Sequence, residues 1–255
     1  MKTVVIIPCR MKSERLPNKP LIDINGKTLI QRVYENVSKV FGAEDTYVAC
    51  DDLGIKEKVE ILGAKAIMTD PECPSGTDRI AQALKSIDPK GEKYDVVINF
   101  QGDDVNVDPT ICSRLVDLME TSGADIATVV QPIEKKEEIE NPNIVKVATA
   151  FDDNKDTARC LYFSRSPIPY NRPLGAVDKA FWHIGIYVYN AKSLQKFVSL
   201  PVGLLEAREK LEQLRALENG MSIFALKVED TRIDKRAPAD VNTPQDYEEM
   251  IKFVK

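Results

Sequence analysis

The sequence predicts an α/β fold with a mostly parallel central sheet. Three observations carry this prediction. Strand-like and helix-like segments alternate through the first half of the chain. The strand-like segments are short, continuous apolar runs of the kind found in strands buried on both faces. Helix-length segments separate them, as parallel pairing requires.

In order, residues 3–8 form a β-branched run that predicts a buried strand. A polar stretch extends to Pro20, and residues 29–40 then have helical spacing. Residues 46–50 predict a strand, 53–62 a helix, 64–68 a strand, 78–86 a helix, 95–100 a strand and 109–120 a helix. In such sheets ligands bind outside the carboxyl ends of the strands. The loops at 9–19, 70–77 and 101–107 all follow strands, so they are expected on one side of the molecule. The second half is less regular. Residues 144–151, 158–164 and 183–189 read as strands, antiparallel because no long helix separates the first two. Residues 204–217 predict one helix, with Leu204, Ala207, Leu211 and Leu214 on a common face. Thr243-Pro244-Gln245-Asp246 is a helix start, with Thr at the N-cap, Pro at N1 and an acid at N3.

Composition removes several classes. The chain has 255 residues, 43% of them hydrophobic and 29% charged, with a net charge of −5. That is a soluble globular composition, and one domain over 1–255 is expected. The slight acidity argues against a dedicated nucleic-acid binder. No apolar run approaches the roughly 20 residues needed to span a bilayer, and no secretory leader is read at the start of the chain. Cys9, Cys50, Cys73, Cys112 and Cys160 are scattered and odd in number, which fits reduced thiols in a cytoplasmic protein. His183 is the only histidine, so a multi-histidine zinc site is excluded.

Three loops carry chemistry. The first holds Arg10, Lys12, Arg15 and Lys19 between stiffening prolines. Arg and Lys bind phosphates through charge-assisted hydrogen bonds, although a solvated basic loop has the same composition. Gly26-Lys27-Thr28 imitates the end of a phosphate-binding P-loop. That motif needs Gly where Leu21 stands, so Asn25-Gly26 reads as a turn. The second loop, Pro74-Ser75-Gly76-Thr77-Asp78-Arg79, is small enough for a ligand to approach the backbone. A plain helix cap, with Thr77 as the capping residue, fits equally well. The third, Gln101-Gly102-Asp103-Asp104, puts two carboxylates at the end of an apolar strand. Mg2+ takes one or two carboxylates plus substrate phosphates, and alternation along extended chain lets only one of the two face it.

Together these segments resemble the CMP-Kdo synthetases (3-deoxy-manno-octulosonate cytidylyltransferases). The family pattern R-x-x-S-x-R-L-P-x-K-P-L stands at residues 10–21, S-G-T-D-R at 75–79 and Q-G-D at 101–103. Y-F-S-R-S-P-I-P stands at 162–169, H-x-G-I-Y at 183–187 and L-E-Q-L-R at 211–215. Six such segments in order are highly specific.

The resemblance implies a Rossmann-like nucleotidyltransferase fold, with an irregular antiparallel part for sugar binding and dimerisation. It implies that CTP and a 3-deoxy-2-ulosonic acid give a CMP-sugar and pyrophosphate, for lipopolysaccharide or capsule synthesis in the cytoplasm. Arg10, Arg15 and Lys19 would hold the triphosphate. Ser75 would select cytosine, Gln101 would sit at the nucleotide and Asp103 would bind Mg2+. Arg10, Lys19 and Asp103 would be catalytic. Arg165, His183, Tyr187, Glu212 and Gln213 would line the sugar site, with Arg165 on the sugar carboxylate. The family forms homodimers, and Phe181 and Trp182 are candidates for such an interface or for the core.

The chain departs from the family at four positions. Asn242 stands where V-D-T-P supplies a second Mg2+ ligand, Asp104-Val105 replaces Glu-Pro, and Asn18 replaces Gly. Asn242 is expected still to lie at the metal, with Asp240 as a possible stand-in. Two alternatives follow. One is the same reaction on 8-amino-Kdo or another ulosonic acid. The other is a homologue that binds CTP or sugar without catalysis.

Overall fold

The computed structural model describes residues 1–152, 154–170, 172 and 180–254. They form two compact units, Met1–Ser113 with Thr231–Lys255, and Arg114–Asp230. The sequence predicts a single domain. A unit completed by a segment from the far end of the chain has no composition shift to mark it.

In the first unit, strand β1 (Thr3–Cys9) leads into the basic loop. Strands β2 (Asp23–Ile24) and β3 (Lys27–Thr28) form a hairpin. Its turn residues Asn25 and Gly26 both have positive φ, 52° and 87°, as a two-residue hairpin turn demands. This agrees with reading Asn25-Gly26 as a turn and not as part of a P-loop. Thr28 then caps helix α1 (Leu29–Phe41) in a reciprocal box with Gln31. Strand β4 (Thr46–Cys50), helix α2 (Leu53–Glu60), strand β5 (Lys65–Met68), helix α3 (Gly76–Ile87) and strand β6 (Val96–Asn99) follow.

The strands of this unit lie in the order β5-β4-β1-β6, every pair parallel. Val4, Val5, Ile6 and Ile7 are fully buried, as are Val96, Val97 and Ile98. Parallel strands open their carboxyl ends at one edge, so the loops after β1, β5 and β6 emerge together, as predicted. The cap of α3 is a correction: Ser75 caps it, and Thr77 is buried within the first turn. Helix α4 (Thr110–Ser122) follows.

The second unit contains β7 (Ile126–Pro132), α5 (Lys136–Glu140), β8 (Lys146–Thr149), β9 (Thr157–Ser164) and β10 (Phe181–Asn190). Then come α6 (Ala191–Ser199), α7 (Leu204–Glu209), α8 (Gln213–Glu218) and β11 (Ile223–Lys227). Its strands run β10-β7-β11-β9-β8, and β8 also pairs with β10, closing the circuit. Only β11–β7 is parallel. The antiparallel pairing expected of 144–151 and 158–164 is present as β8–β9. The sequence pattern predicts no element at β7, α6 or β11. Phe181 is a core residue and Trp182 is exposed.

The helix expected over 204–217 is two helices. Lys210 adopts φ 54°, ψ 46° and ends α7. The two halves are then bound together. Arg215 donates from Nε to Glu206 Oε2 at 2.8 Å and from Nη2 to Oε1 at 2.6 Å. Glu218 Oε1 accepts the Leu205 amide at 3.1 Å, capping α7 from the end of α8. Of the predicted common face, Leu211 and Leu214 are buried but Leu204 and Ala207 are exposed, because amphipathic spacing is blind to the break.

The chain closes with α9 (Pro244–Phe253) in the first unit, capped by Thr243 and Asp246 as predicted. Buried Asn106 holds the approach to this helix. Its Nδ2 donates to the carbonyls of Asp234 at 2.8 Å and Pro238 at 3.0 Å, and its Oδ1 accepts the Asp234 amide at 2.9 Å.

Glu206 and Arg215 side chains are only 11% and 9% exposed. Removing one member of a buried pair strands the other charge. Glu206→Ala should therefore lower stability by about 3 kcal/mol in urea unfolding. Replacing both residues by leucine should recover much of that loss; a Glu206→Ala midpoint equal to that of the parent would refute the assignment.

Candidate active site

The loops at the carboxyl edge of the first unit surround a cavity of about 560 Å3. Arg10, Lys12, Arg15 and Lys19 line it together with Ser75, Gln101, Asp103 and Asn242. Thus all seven residues predicted from sequence for the nucleotide and metal come to one cavity.

The basic loop is pinned at both ends. The Met11 amide donates to Asp51 Oδ1 at 2.9 Å, and Asp51 Oδ2 accepts Arg79 Nη2 at 3.1 Å. Arg79, the last residue of S-G-T-D-R, is buried and therefore ties the second loop to the first. At the other end Asn18 has φ 54° just before the single 3-10 turn at Lys19–Leu21. Gly is the default residue in that conformation and Asn tolerates it, which accounts for Asn at a position where the resembling family has Gly. Arg10 is exposed and has no hydrogen-bond or ionic partner among the described residues.

The glycine of Q-G-D has a steric reason. A Cβ on Gly102 would lie 2.8 Å from the Pro8 carbonyl oxygen. Only glycine lets this loop come so close to the end of β1, and that approach sets Asp103 beside Lys19. Gln101 donates from Nε2 to Asn99 Oδ1 at 3.0 Å. Ser75 spends its hydroxyl on Asp78, donating to Oδ2 at 2.7 Å and accepting the Asp78 amide at 3.1 Å.

Lys19 is the centre of the polar floor. Its Nζ donates to Asp103 Oδ2 at 2.5 Å and Asn242 Oδ1 at 3.0 Å. Arg15 Nη2 also reaches Asn242 Oδ1, at 3.2 Å. The Asn242 amide nitrogen donates to Asp240. Asn242 therefore turns its oxygen to two cations and its nitrogen to a carboxylate, an arrangement that aspartate could not reproduce. Its backbone amide is held by Asp246 Oδ2 at 3.0 Å, part of the α9 cap. The carboxylates crowd one another. Burial, then Asp103 and Asp246, push Asp240 up to about 6. Burial, then Asp103 and Asp240, raise Asp104 well above the usual range.

This floor offers hard oxygen donors to a cation: Asp103, the Asn242 carbonyl and Asp240. Among the described residues no three His, Cys, Asp or Glu side chains form a ready-made metal cage. That donor set fits Mg2+, which uses few protein ligands alongside substrate phosphates. Cys9 lines the same cavity, but burial, followed by Cys50, Asp51 and Asp103, raises its thiol well above normal. A thiol held protonated in this way is poorly suited to nucleophilic attack.

The five residues expected at a sugar all lie in the second unit. His183 is buried, with Phe163 and Tyr187 rings at 5.0 and 5.4 Å. The H-x-G-I-Y segment is a bulge: the register of β10 against β7 jumps from Ile184↔Val129 to Tyr187↔Thr128. Thr128 Oγ1 lies 2.8 Å from the Ile186 carbonyl, 3.3 Å from the Ile184 carbonyl and 3.0 Å from His183 Nε2. Carbonyls only accept, so the hydroxyl donates to them and His183 Nε2 carries the proton. Tyr187 is protonated, its hydroxyl raised first by burial, then by Tyr189 and Glu212. Gln213 is buried and its Nε2 has no hydrogen-bond partner among the described residues. Glu212 is the N-cap residue of α8, immediately before Gln213.

Arg165 follows β9 and is half-buried. Sequence reading missed its neighbours. Glu209 accepts the Arg165 amide at 2.9 Å through Oε2 and Arg165 Nε at 2.8 Å through its carbonyl. No motif spacing signals that contact, because the break at Lys210 creates it.

Burial lowers His183 to about 3, so the imidazole is neutral at pH 7. The unfolded chain takes up a proton below about pH 6.5 that the native state refuses. The stability contributed by neutral His183 is whole above that pH and is lost as pH falls from 6.5 towards 3. Its NMR signals, the single histidine set in the spectrum, should not titrate between pH 8 and 5; a midpoint near 6.5 would place the ring in solvent.

Known proteins resemble this chain over nearly its whole length. The cytidylyltransferase family model matches residues 4–223. A 3-deoxy-manno-octulosonate cytidylyltransferase of Paramagnetospirillum magneticum is 41% identical over 252 residues, covering 99% of this chain and 97% of that one. An 8-amino-3,8-dideoxy-manno-octulosonate cytidylyltransferase of a Shewanella species is 43% identical over 244 residues, covering 95% and 96%. The structure of a CMP:2-keto-3-deoxy-manno-octonic acid synthetase complexed with CTP superposes with a TM-score of 0.86 at 37% identity, covering 99% and 98%. With the full set of motif segments and the parallel nucleotide-edge loops in place, this chain belongs to the CMP-Kdo synthetase family of cytidylyltransferases.

Proposed function

We propose that the protein transfers the cytidylyl group of CTP to Kdo, giving CMP-Kdo and pyrophosphate. The observation that carries this reading is the convergence of Arg15, Lys19, Asp103 and Asn242 in a cavity walled by the basic loop. The anomeric hydroxyl attacks the α-phosphorus of CTP. A new phosphorus–oxygen bond forms, the bond to the β-phosphate breaks, and the hydroxyl loses its proton. Such a transfer needs neutralised phosphate charge and in-line positioning more than covalent chemistry.

Arg10, Arg15 and Lys19 hold the triphosphate. Ser75 and the adjoining backbone select cytosine, and Gln101 sits at the nucleotide. Asp103 and Asn242 would hold Mg2+, with Asp240 beside them. When bound, Mg2+ would polarise the phosphate and favour ionisation of the attacking hydroxyl. Arg165 pairs with the sugar carboxylate. Gln213, next to Glu212 at the start of α8, belongs to the same side of the reading. Tyr187 offers a protonated hydroxyl, Glu212 an acceptor, and His183 supports the Tyr187 ring from beneath.

The reading includes a cytoplasmic homodimer that supplies lipopolysaccharide or capsule synthesis. Five free cysteines fit a reducing compartment. No helix among the described residues is long and apolar enough to cross a membrane. Leu161, Trp182, Val202 and Leu204 are exposed on the second unit and suit an interface. Sedimentation should give twice the chain mass of 28.6 kDa; a monomer at assay concentration removes the dimer from the reading.

The main test is pyrophosphate release with CTP and Mg2+, adding Kdo, 8-amino-Kdo or no sugar, with UTP and ATP as controls. Release should require CTP and Kdo together. Release with 8-amino-Kdo alone would reassign the sugar, and CTP binding without release from any pair would leave a binding protein. In the same assay Asn242→Asp adds a carboxylate to the floor and should lower the Mg2+ needed for half-maximal rate by roughly fivefold. An unchanged Mg2+ dependence would put Asn242 outside the metal site.

A further inference from the structure

We propose that Glu209 and Lys146 are positioning residues that present the Arg165 guanidinium to the sugar carboxylate. The proposal rests on the reading of Arg165 as that carboxylate's partner.

Glu209 uses all three of its oxygens on the segment carrying Arg165. Oε1 accepts the Ser164 hydroxyl at 2.6 Å, Oε2 accepts the Arg165 amide at 2.9 Å, and the backbone carbonyl accepts Arg165 Nε at 2.8 Å. That carbonyl is available because α7 stops there: the left-handed Lys210 ends the intrahelical ladder and leaves the last carbonyls to other donors. The broken helix is thus a docking point for one arginine.

Lys146 works from the other side. It is fully buried; its Nζ donates to the carbonyls of Asn141 at 2.9 Å, Ile144 at 2.6 Å and Arg165 at 2.6 Å. All three ammonium protons are committed. A buried ammonium is costly when apolar atoms could fill the same volume. What the charge does here is fix three carbonyls relative to one another. Two of them bracket Pro142, whose own carbonyl accepts Arg165 Nη1 at 3.0 Å. Lys146 therefore sets both the Arg165 backbone and the turn that steadies its guanidinium.

Arg165 is held through Nε and Nη1, and Nη2 has no partner among the described residues. With Nε and Nη1 anchored on backbone carbonyls, the guanidinium plane is fixed and Nη2 is left to donate to a carboxylate. Neither Glu209 nor Lys146 need touch the sugar.

The experiment measures KM for Kdo and for CTP separately in full-length Glu209→Gln, Lys146→Met and Arg165→Ala, and in Glu209→Gln combined with Arg165→Ala. Glu209→Gln should raise the Kdo KM about tenfold, leave the CTP KM within about twofold, and add less than about twofold once Arg165 is alanine. Glu209→Asp should recover part of the loss. Lys146→Met, or Lys146→Gln should the methionine variant not fold, should likewise raise the Kdo KM and leave the CTP KM within about twofold; a folded variant with an unchanged Kdo KM removes Lys146 from the positioning pair. Equal changes in both KM values, or effects that multiply with Arg165→Ala, overturn the positioning role and leave a merely structural one. If Arg165→Ala raises the Kdo KM and Glu209→Gln does not, the positioning role falls while the carboxylate assignment stands. If Arg165→Ala leaves the Kdo KM unchanged, both fall.

Discussion

Like charge gathered around one lysine is the constraint on which the nucleotide edge depends. The Asp103 carboxylate helps to raise both Asp104 and Asp240, and Lys19 lies beside it with its ammonium on Asp103 and Asn242. Carboxylates at that density are stable only with cations to answer them. The basic loop supplies fixed cations, and the same excess of oxygen donors suits a divalent ion bridging to phosphate. The rest of the first unit can be understood as what brings these groups together. The parallel strands deliver two loops to one edge, Gly102 permits their close approach, and Asn106 anchors the segment that carries Asp240 and Asn242.

The second unit handles polar groups in the opposite way. Its buried pairs are fully answered within the protein: Glu206 by Arg215, His183 by Thr128, Lys146 by three carbonyls. Against that background the unpartnered amide of Gln213 stands out. Buried polar atoms without partners are uncommon because each forfeits its hydration.

The helix break at Lys210 links fold and chemistry most directly. A continuous helix would consume the Glu209 carbonyl and carry Gln213 around the axis. Two short helices cross-braced by Glu206–Arg215 and the Glu218 cap release that carbonyl to Arg165.

The sequence by itself determined the parallel sheet of the first unit, the two-residue turn at Asn25-Gly26, the cap of the last helix and the loops that line the cavity at its carboxyl edge. Each of these is written in local chemistry: apolar runs, turn residues, capping spacing, charge in a loop after a strand. Tertiary structure alone decided what depends on residues distant in the chain. It broke the helix at Lys210 and made strands of 126–132 and 223–227, whose pairing partners are not sequence neighbours. It buried His183 and set Asn242 between two cations and a carboxylate. Periodicity reports which face of a segment is buried. It carries no information about what distant groups that face meets, and those meetings set the ionisation and the geometry of the site.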